Sequence, residues 1–122
     1  MKNHHYLLNW ISIAALASLI MFSLAACQHS RQLQVAPIAG RDVVALDAED
    51  VVAIMQRAGL NDSEIIDLGT ELRNSLSSRG AARITSNGKT VALLTVLSPY
   101  VYISTMEQGN FIYNSKTGQF QR

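Results

Sequence analysis

The stretch AARITSNGKTVALLTVL, residues 81–97, decides the fold class. Asn87 and Gly88 predict a tight hairpin turn, because both central residues of a type I′ turn need a positive φ. Residues 81–85 before this turn and residues 89–97 after it are rich in β-branched and other apolar side chains, which favour strands. The stretch therefore predicts a β-hairpin.

The chain continues as a meander after this hairpin. Ser98 and Pro99 interrupt the second strand, and residues 100–106 predict a third strand. A turn at 107–110 and a short fourth strand at 110–114 follow. We expect three to four antiparallel strands here, with residues 116–118 turning into a C-terminal tail.

Two helices are predicted before the hairpin. Asp47 suits the N-cap of the first helix, and Gly59 suits its C-terminal end. The second helix is predicted to begin near Asn61 or Asp62 and to stop by Gly80. Two adjacent helices with a short link form an αα-hairpin, so the chain predicts an α+β domain.

The run Val43-Val44-Ala45-Leu46, before the first helix, permits two interpretations. It can form an additional N-terminal edge strand of the sheet, or it can simply lead into the first helix. The pattern does not choose between them.

Length and charge limit the classes of function. The chain has 122 residues and a formal net charge of +1. Lys2 supplies that excess charge, so residues 27–122 are formally neutral. A neutral domain lacks the basic surface that nucleic-acid binding needs, and no nucleic-acid partner is expected.

The N-terminal residues predict export. Lys2 gives a positive start, residues 6–22 are apolar, and small residues follow, as in a secretory signal peptide. The sequence Leu24-Ala25-Ala26-Cys27 resembles the lipobox of bacterial lipoproteins. Residues 28–40 are polar and then interrupted by proline and glycine, which is typical of a flexible tether.

The lipoprotein resemblance implies that the leader is cut before Cys27 and that Cys27 carries acyl chains in a membrane. It implies a signal peptide at 1–26, a lipidated tether at 27–40 and a domain at 41–122. Gln28, rather than Asp, follows the cysteine, which favours the outer membrane in a Gram-negative cell. The domain itself resembles small uncharacterised bacterial lipoproteins, and this adds no activity. An uncleaved membrane helix and a released protein are the alternatives.

The domain predicted at 41–122 lacks the residues of common catalytic sites. It has no histidine and no cysteine, since His29 and Cys27 lie in the predicted tether. Nucleophile–histidine pairs and zinc sites therefore have no residues to form them. We expect no catalytic residue, no cofactor and no metal.

One acidic pattern on the second predicted helix keeps an alternative function open. Glu64, Asp67 and Glu71 share one stripe of this helix. A solvated helix face explains this pattern, but paired carboxylates also serve glycoside hydrolases. A cell-envelope glycan hydrolase is therefore the alternative function.

The predicted sheet offers a candidate binding face. Tyr100, Tyr102 and Ser104 alternate with Val101, Ile103 and Thr105 along the third strand, and both sides of the preceding strand are apolar. Two short helices can cover only one side of the sheet. The candidate residues for the other side are Tyr100, Tyr102, Phe111 and Tyr113.

The sequence leaves open what covers this candidate face. Tyrosines suit interfaces, because they combine a large area with a polar tip. We expect a non-catalytic domain that binds a protein partner or a second copy of itself there. The alternatives are that the segment 35–46 or the C-terminal tail folds over this face, or that the protein is a purely structural envelope component.

Overall fold

Two helices and six antiparallel strands form the part of the chain that the structure, a computed structural model, describes: residues 31–121. The elements are, in chain order, β1 (Leu33–Ala39), α1 (Ala48–Arg57), α2 (Asp62–Ser78), β2 (Gly80–Ser86), β3 (Lys89–Leu97), β4 (Tyr100–Thr105), β5 (Gly109–Asn114) and β6 (Gln119–Gln121).

The strands form one sheet in which every neighbour along the chain is a neighbour in space, in the order β1-β2-β3-β4-β5-β6. The turn between β2 and β3 contains Asn87 with φ 52° and Gly88 with φ 82°, as the sequence requires. The α+β class, with an αα-hairpin followed by an antiparallel meander, is confirmed.

The helices begin where the sequence predicts. Asp47 is the N-cap of α1, and Asn61 is the N-cap of α2. The backbone N–H of Gly59 bonds to the carbonyl of Gln56 at 3.0 Å, at the end of α1, and Gly59 has a φ of 89°. That left-handed conformation is typical of a glycine that ends a helix.

The edge strands differ from the sequence prediction. The additional N-terminal strand is β1 at Leu33–Ala39, while residues 43–46 lead into α1 without forming a strand. The prediction of a tether over 27–40 is therefore wrong for residues 33–39, which pair with β2 along their whole length. Pro37 fits this position, because β1 is an edge strand and its outer side needs no N–H donor. Residues 27–30 lie outside the described residues.

The C-terminal edge also extends further than predicted. The meander comprises five strands, β2 to β6, because residues 119–121 pair with Ile112, Tyr113 and Asn114 of β5. The sequence places these residues in a tail after the turn at 116–118. Three residues are too few to show a strand period, and only pairing with β5 makes them a strand.

Side-chain alternation places the core on one face of the sheet, under the two helices. We call this the inner face. It contributes the buried side chains of Val35, Ala82, Ile84, Ala92, Leu94, Val96, Val101, Ile103, Phe111 and Tyr113. The helices contribute Val51, Ile54, Met55, Ile65, Leu68, Leu72 and Leu76.

Gly69 lies on the side of α2 that packs against α1. A Cβ at Gly69 would lie 3.9 Å from Val51 Cγ1 and 4.0 Å from Met55 Sδ, both in α1. These are ordinary contact distances, so a Cβ would fit at this position without a shift of either helix.

The segment that links β1 to α1 crosses the junction of α2 and β2. The backbone N–H of Gly40 donates to the Arg79 carbonyl at 2.6 Å, and that of Val44 donates to the Leu76 carbonyl at 3.3 Å. These bonds satisfy carbonyls at the C-terminal end of α2, which have no partner within the helix. At Gly80, where φ is 83°, a Cβ would lie 1.7 Å from the Asp42 carbonyl oxygen. Only glycine permits this crossing.

We expect Gly80→Ala to lower the free energy of unfolding by more than about 3 kcal/mol, since it adds a backbone clash to the strain of a positive φ. Gly88→Ala is the matched control, because Gly88 has nearly the same φ but no heavy atom within 4 Å of its added Cβ. It should cost only about 1 kcal/mol. Urea unfolding of both variants measures the difference, and equal losses would contradict the crossing.

Candidate functional site

The face of the sheet opposite the helices carries exposed apolar side chains. We call it the outer face, formed by the side chains of Leu93, Thr95, Leu97, Tyr100, Tyr102, Ser104, Asn110 and Ile112, with Arg83 beside them on β2. Leu93 is 39% exposed, Leu97 is 48% exposed and Tyr102 is 40% exposed. An antiparallel sheet that turns one face to water usually places polar residues there, so this face departs from the rule.

The middle of the outer face holds a shallow concavity of about 290 Å³. Its lining residues are Leu93, Thr95, Tyr102, Ile103, Ser104, Asn110, Phe111 and Ile112. At its polar side, the Ser104 hydroxyl donates to Asn110 Oδ1 at 2.8 Å. The concavity therefore combines an apolar floor with a few polar groups, as binding sites often do.

Charges are rare in the sheet. The six strands contain two charged residues, Arg83 and Lys89. Lys89 begins β3 beside the hairpin turn. Arg83 lies on the outer face, where the register pairs it with Leu93 of the concavity.

The candidate residues predicted from the sequence divide between the two faces. Tyr102 is exposed and Tyr100 is half-buried, and both belong to the outer face. Phe111 and Tyr113 are only 3% and 2% exposed, so their assignment to the binding face is wrong.

The register explains the division of these aromatic residues. Phe111 pairs with Ile103 and Tyr113 pairs with Val101, and both partners point toward the helices. Ile112 lies between the two aromatic residues in the sequence, so its side chain is on the outer face instead. Sequence alternation shows that Phe111 and Tyr113 share a side, but it does not show which side.

No described segment covers the outer face. Residues 33–39 extend the sheet at the β1 edge, and residues 119–121 extend it at the β5 edge. Residues 40–46 run beside the C-terminal end of α2. Within residues 31–121, neither of the two segments that the sequence offered as a cover lies over Tyr102 and Leu93.

Phe111 and Tyr113 belong instead to an aromatic cluster on the inner face. The centre of the Phe120 ring lies 5.5 Å from the centre of the Phe111 ring and 5.0 Å from the centre of the Tyr113 ring. The guanidinium of Arg57 lies 5.3 Å from the centre of the Phe111 ring, within cation–π distance. This cluster fixes β5 and β6 under α1.

Tyr113 also ties the sheet to the start of α1. Its hydroxyl donates a hydrogen bond to Asp50 Oδ1, and Asp50 Oδ2 accepts a bond of 2.9 Å from the Asp47 backbone N–H. Burial of the phenol, together with the hydrogen bond to the Asp50 carboxylate, raises the pKa of Tyr113 to about 12. Both causes favour the neutral phenol.

The three acidic residues predicted to share one stripe of α2 lie in different environments. Glu64 is buried, and its Oε1 accepts a bond of 3.0 Å from the Asn61 backbone N–H. Asn61 Oδ1 accepts in return from the Glu64 backbone N–H at 2.9 Å, which completes a capping box. Asp67 and Glu71 are exposed.

Among residues 31–121, no group of three or more His, Cys, Asp or Glu side chains is arranged to hold a metal ion.

The helix layer has a second concavity, of about 220 Å³, between α1 and α2. Its lining residues are Ala48, Val51, Val52, Ile65, Ile66, Gly69, Thr70 and Arg73. Ile66 is 79% exposed at its rim. Sequence reasoning missed this groove, although the spacing of Ile66, Gly69 and Arg73 places them on one side of α2.

The predicted lipidation site, Cys27, lies outside the described residues. Neither α1 nor α2 combines the length and the apolar composition that crossing a membrane requires.

Comparison of the chain with protein-family models, with curated proteins and with solved structures gives no match.

We expect Tyr113→Phe to destabilise the protein by about 1–2 kcal/mol at pH 8, because the bond to the Asp50 carboxylate is lost. The folded wild type keeps the phenolic proton between pH 10 and pH 12, whereas the unfolded chain releases it. The stability of the wild type should therefore fall over this range, by on the order of 2 kcal/mol from this group.

The stability difference between the wild type and Tyr113→Phe should then shrink as the pH rises from 10 to 12. Urea unfolding at fixed pH values measures it. Tyr102→Phe is the matched control, because its hydroxyl is not tied to Asp50, and it should follow the wild-type pH profile. A difference between the wild type and Tyr113→Phe that stays constant from pH 8 to pH 12 would contradict the assignment.

Proposed function

We propose that this chain is a lipid-anchored protein of the cell envelope whose domain is a non-catalytic interaction module. The domain binds a protein partner through the outer face of its sheet. The observation that carries this proposal is the exposure of Leu93, Leu97 and Tyr102 around one concavity of an almost uncharged sheet.

The composition of the outer face supports binding rather than simple solvation. Contiguous apolar surface exposed on a soluble domain tends to mark an interaction site. Tyrosine and arginine are the residue types that most often contribute binding energy at interfaces. Tyr102 and Arg83 both lie on the outer face, on either side of Leu93 and Thr95.

The resemblance to the lipobox supports the anchor. The position of β1 limits the length of chain between Cys27 and the domain. The sheet begins at Leu33, six residues after Cys27. Six residues of fully extended chain span roughly 20 Å. A domain lipidated at Cys27 would thus remain close to the membrane surface, and partners in the same membrane or beside it could reach its outer face.

The acidic residues of α2 give glycan hydrolysis no comparable support. An acid pair must flank the scissile bond from two sides of a cleft. Glu64 is engaged in the N-terminal cap of α2, while Asp67 and Glu71 project from the same helix into solvent. The binding module remains the function that the described residues support best.

The anchor is tested by metabolic labelling with a clickable fatty acid in the native host. We expect the wild-type chain to incorporate the label and Cys27→Ser to incorporate none, because Cys27 is the only cysteine of the chain. Ser30→Ala, three residues further along, is the matched control and should label like the wild type. Equal labelling of the wild type and Cys27→Ser would rule out the lipid anchor.

The binding face is tested by placing a photo-crosslinking amino acid at position 102 of the full-length chain in intact cells. We expect one discrete adduct from this position. The same amino acid at position 66 is a strict control, because Ile66 is more exposed than Tyr102 but lies on the helix layer. No adduct at position 102, or the same adducts from both positions, would contradict an interaction through the outer face.

A further inference from the structure

We infer that the partner of the outer face is a protein segment that places an apolar side chain in the concavity and a carboxylate against Arg83. This inference rests on the proposed function, and it adds the chemical character of the partner. It follows from the charge, the hydrogen-bonding groups and the size of the outer face.

Arg83 provides the charge. It is the one charged residue that the described strands place on the outer face. Its side chain is exposed, and the described residues offer it neither a hydrogen bond nor an ion pair. A carboxylate is the natural complement, since it accepts two parallel hydrogen bonds from a guanidinium.

The register places Arg83 at the end of a row across the sheet. Arg83 pairs with Leu93, Leu93 with Ser104, and Ser104 with Asn110. Neighbouring strands lie roughly 4.8 Å apart, so Arg83 adjoins the apolar floor of the concavity at Leu93. An acidic residue next to a large apolar residue can therefore reach both features at once.

The opposite side of the concavity also offers donors. The Ser104 hydroxyl gives its proton to Asn110 Oδ1, which leaves the two Asn110 amide protons for a partner. The Tyr102 hydroxyl supplies a further donor. The outer face contains no carboxylate, so its polar groups favour a partner that is rich in acceptors and negatively charged.

A second copy of the chain fits this surface less well. Two outer faces packed together would bury Arg83 without a carboxylate to pair with it, which is costly. Six strands at this spacing span about 24 Å, and strands of six residues are about 20 Å long. The outer face thus has a flat footprint on the order of 500 Å², which a short extended segment can span.

The test uses the full-length chain, purified in detergent from host membranes, and a display library of random 12-residue peptides. We expect the wild type to enrich peptides in which Asp or Glu lies beside a large apolar residue. Arg83→Glu should instead enrich peptides with Lys or Arg at that place. Arg73→Glu, on the exposed side of α2, is the matched control and should keep the acidic preference.

The affinity of the selected peptides gives a second measurement. Arg83→Gln should weaken the binding of a selected acidic peptide roughly tenfold or more, and Leu93→Ser should weaken it as well. Both positions are exposed, so the variants should fold like the wild type, which circular dichroism verifies. Replacing the acidic residue of the peptide by its amide should abolish the effect of Arg83→Gln.

Four results would overturn the inference. The first is enrichment without acidic residues, and the second is an acidic preference that survives Arg83→Glu. The third is a dimer in sedimentation equilibrium that Leu93→Ser dissociates, which would identify a second copy as the occupant. The fourth is binding to phosphatidylglycerol vesicles that depends on Arg83 without any peptide preference, which would identify a lipid.

Failure of this inference is distinguishable from failure of the proposed function. If position 102 gives its adduct in cells and Arg83→Glu leaves that adduct unchanged, the outer face binds a partner but not an acidic one. If position 102 gives no adduct, the interaction face itself is wrong.

Discussion

The backbone crossing between Asp42 and Gly80 is the constraint on which the rest of the domain depends. The Asp42 carbonyl lies where a side chain on Gly80 would have to stand, so the two stretches of chain meet without any side chain between them. The crossing brings the exit of β1 against the entry of β2, which aligns the two strands over seven residue pairs. It also brings Gly40 and Val44 to the open carbonyls of α2.

The carboxylate of Asp42 extends this contact to the residue that follows β3. Its Oδ1 accepts from the Val43 backbone N–H, and its Oδ2 accepts from the Ser98 backbone N–H, both at 2.8 Å. Ser98 lies between β3 and β4, so one residue joins the link before α1 to a turn of the meander. Both helices pack on one side of the sheet, and no residue among 31–121 covers the other side.

The open side is where the structure offers a function. Its exposed apolar residues are those that alternate with the core residues of β3 and β4, so the same strands support the core and display the outer face. A rigid sheet holds Leu93, Tyr102 and Arg83 in fixed relative positions, which lowers the entropic cost of binding. Two acidic residues of the domain serve the fold instead, since Glu64 caps α2 and Asp50 joins Tyr113 to α1.

Local patterns in the sequence determined the hairpin at Asn87 and Gly88, the caps at Asp47 and Asn61, the fold class and the alternation within each strand. Each of these depends on neighbours a few residues apart. Tertiary structure decided the rest: that residues 33–39 form an edge strand, that residues 119–121 add another, and that the side of β5 bearing Phe111 and Tyr113 faces inward. These outcomes depend on hydrogen bonds and packing between distant segments, because a strand's period is the same whichever of its faces is buried.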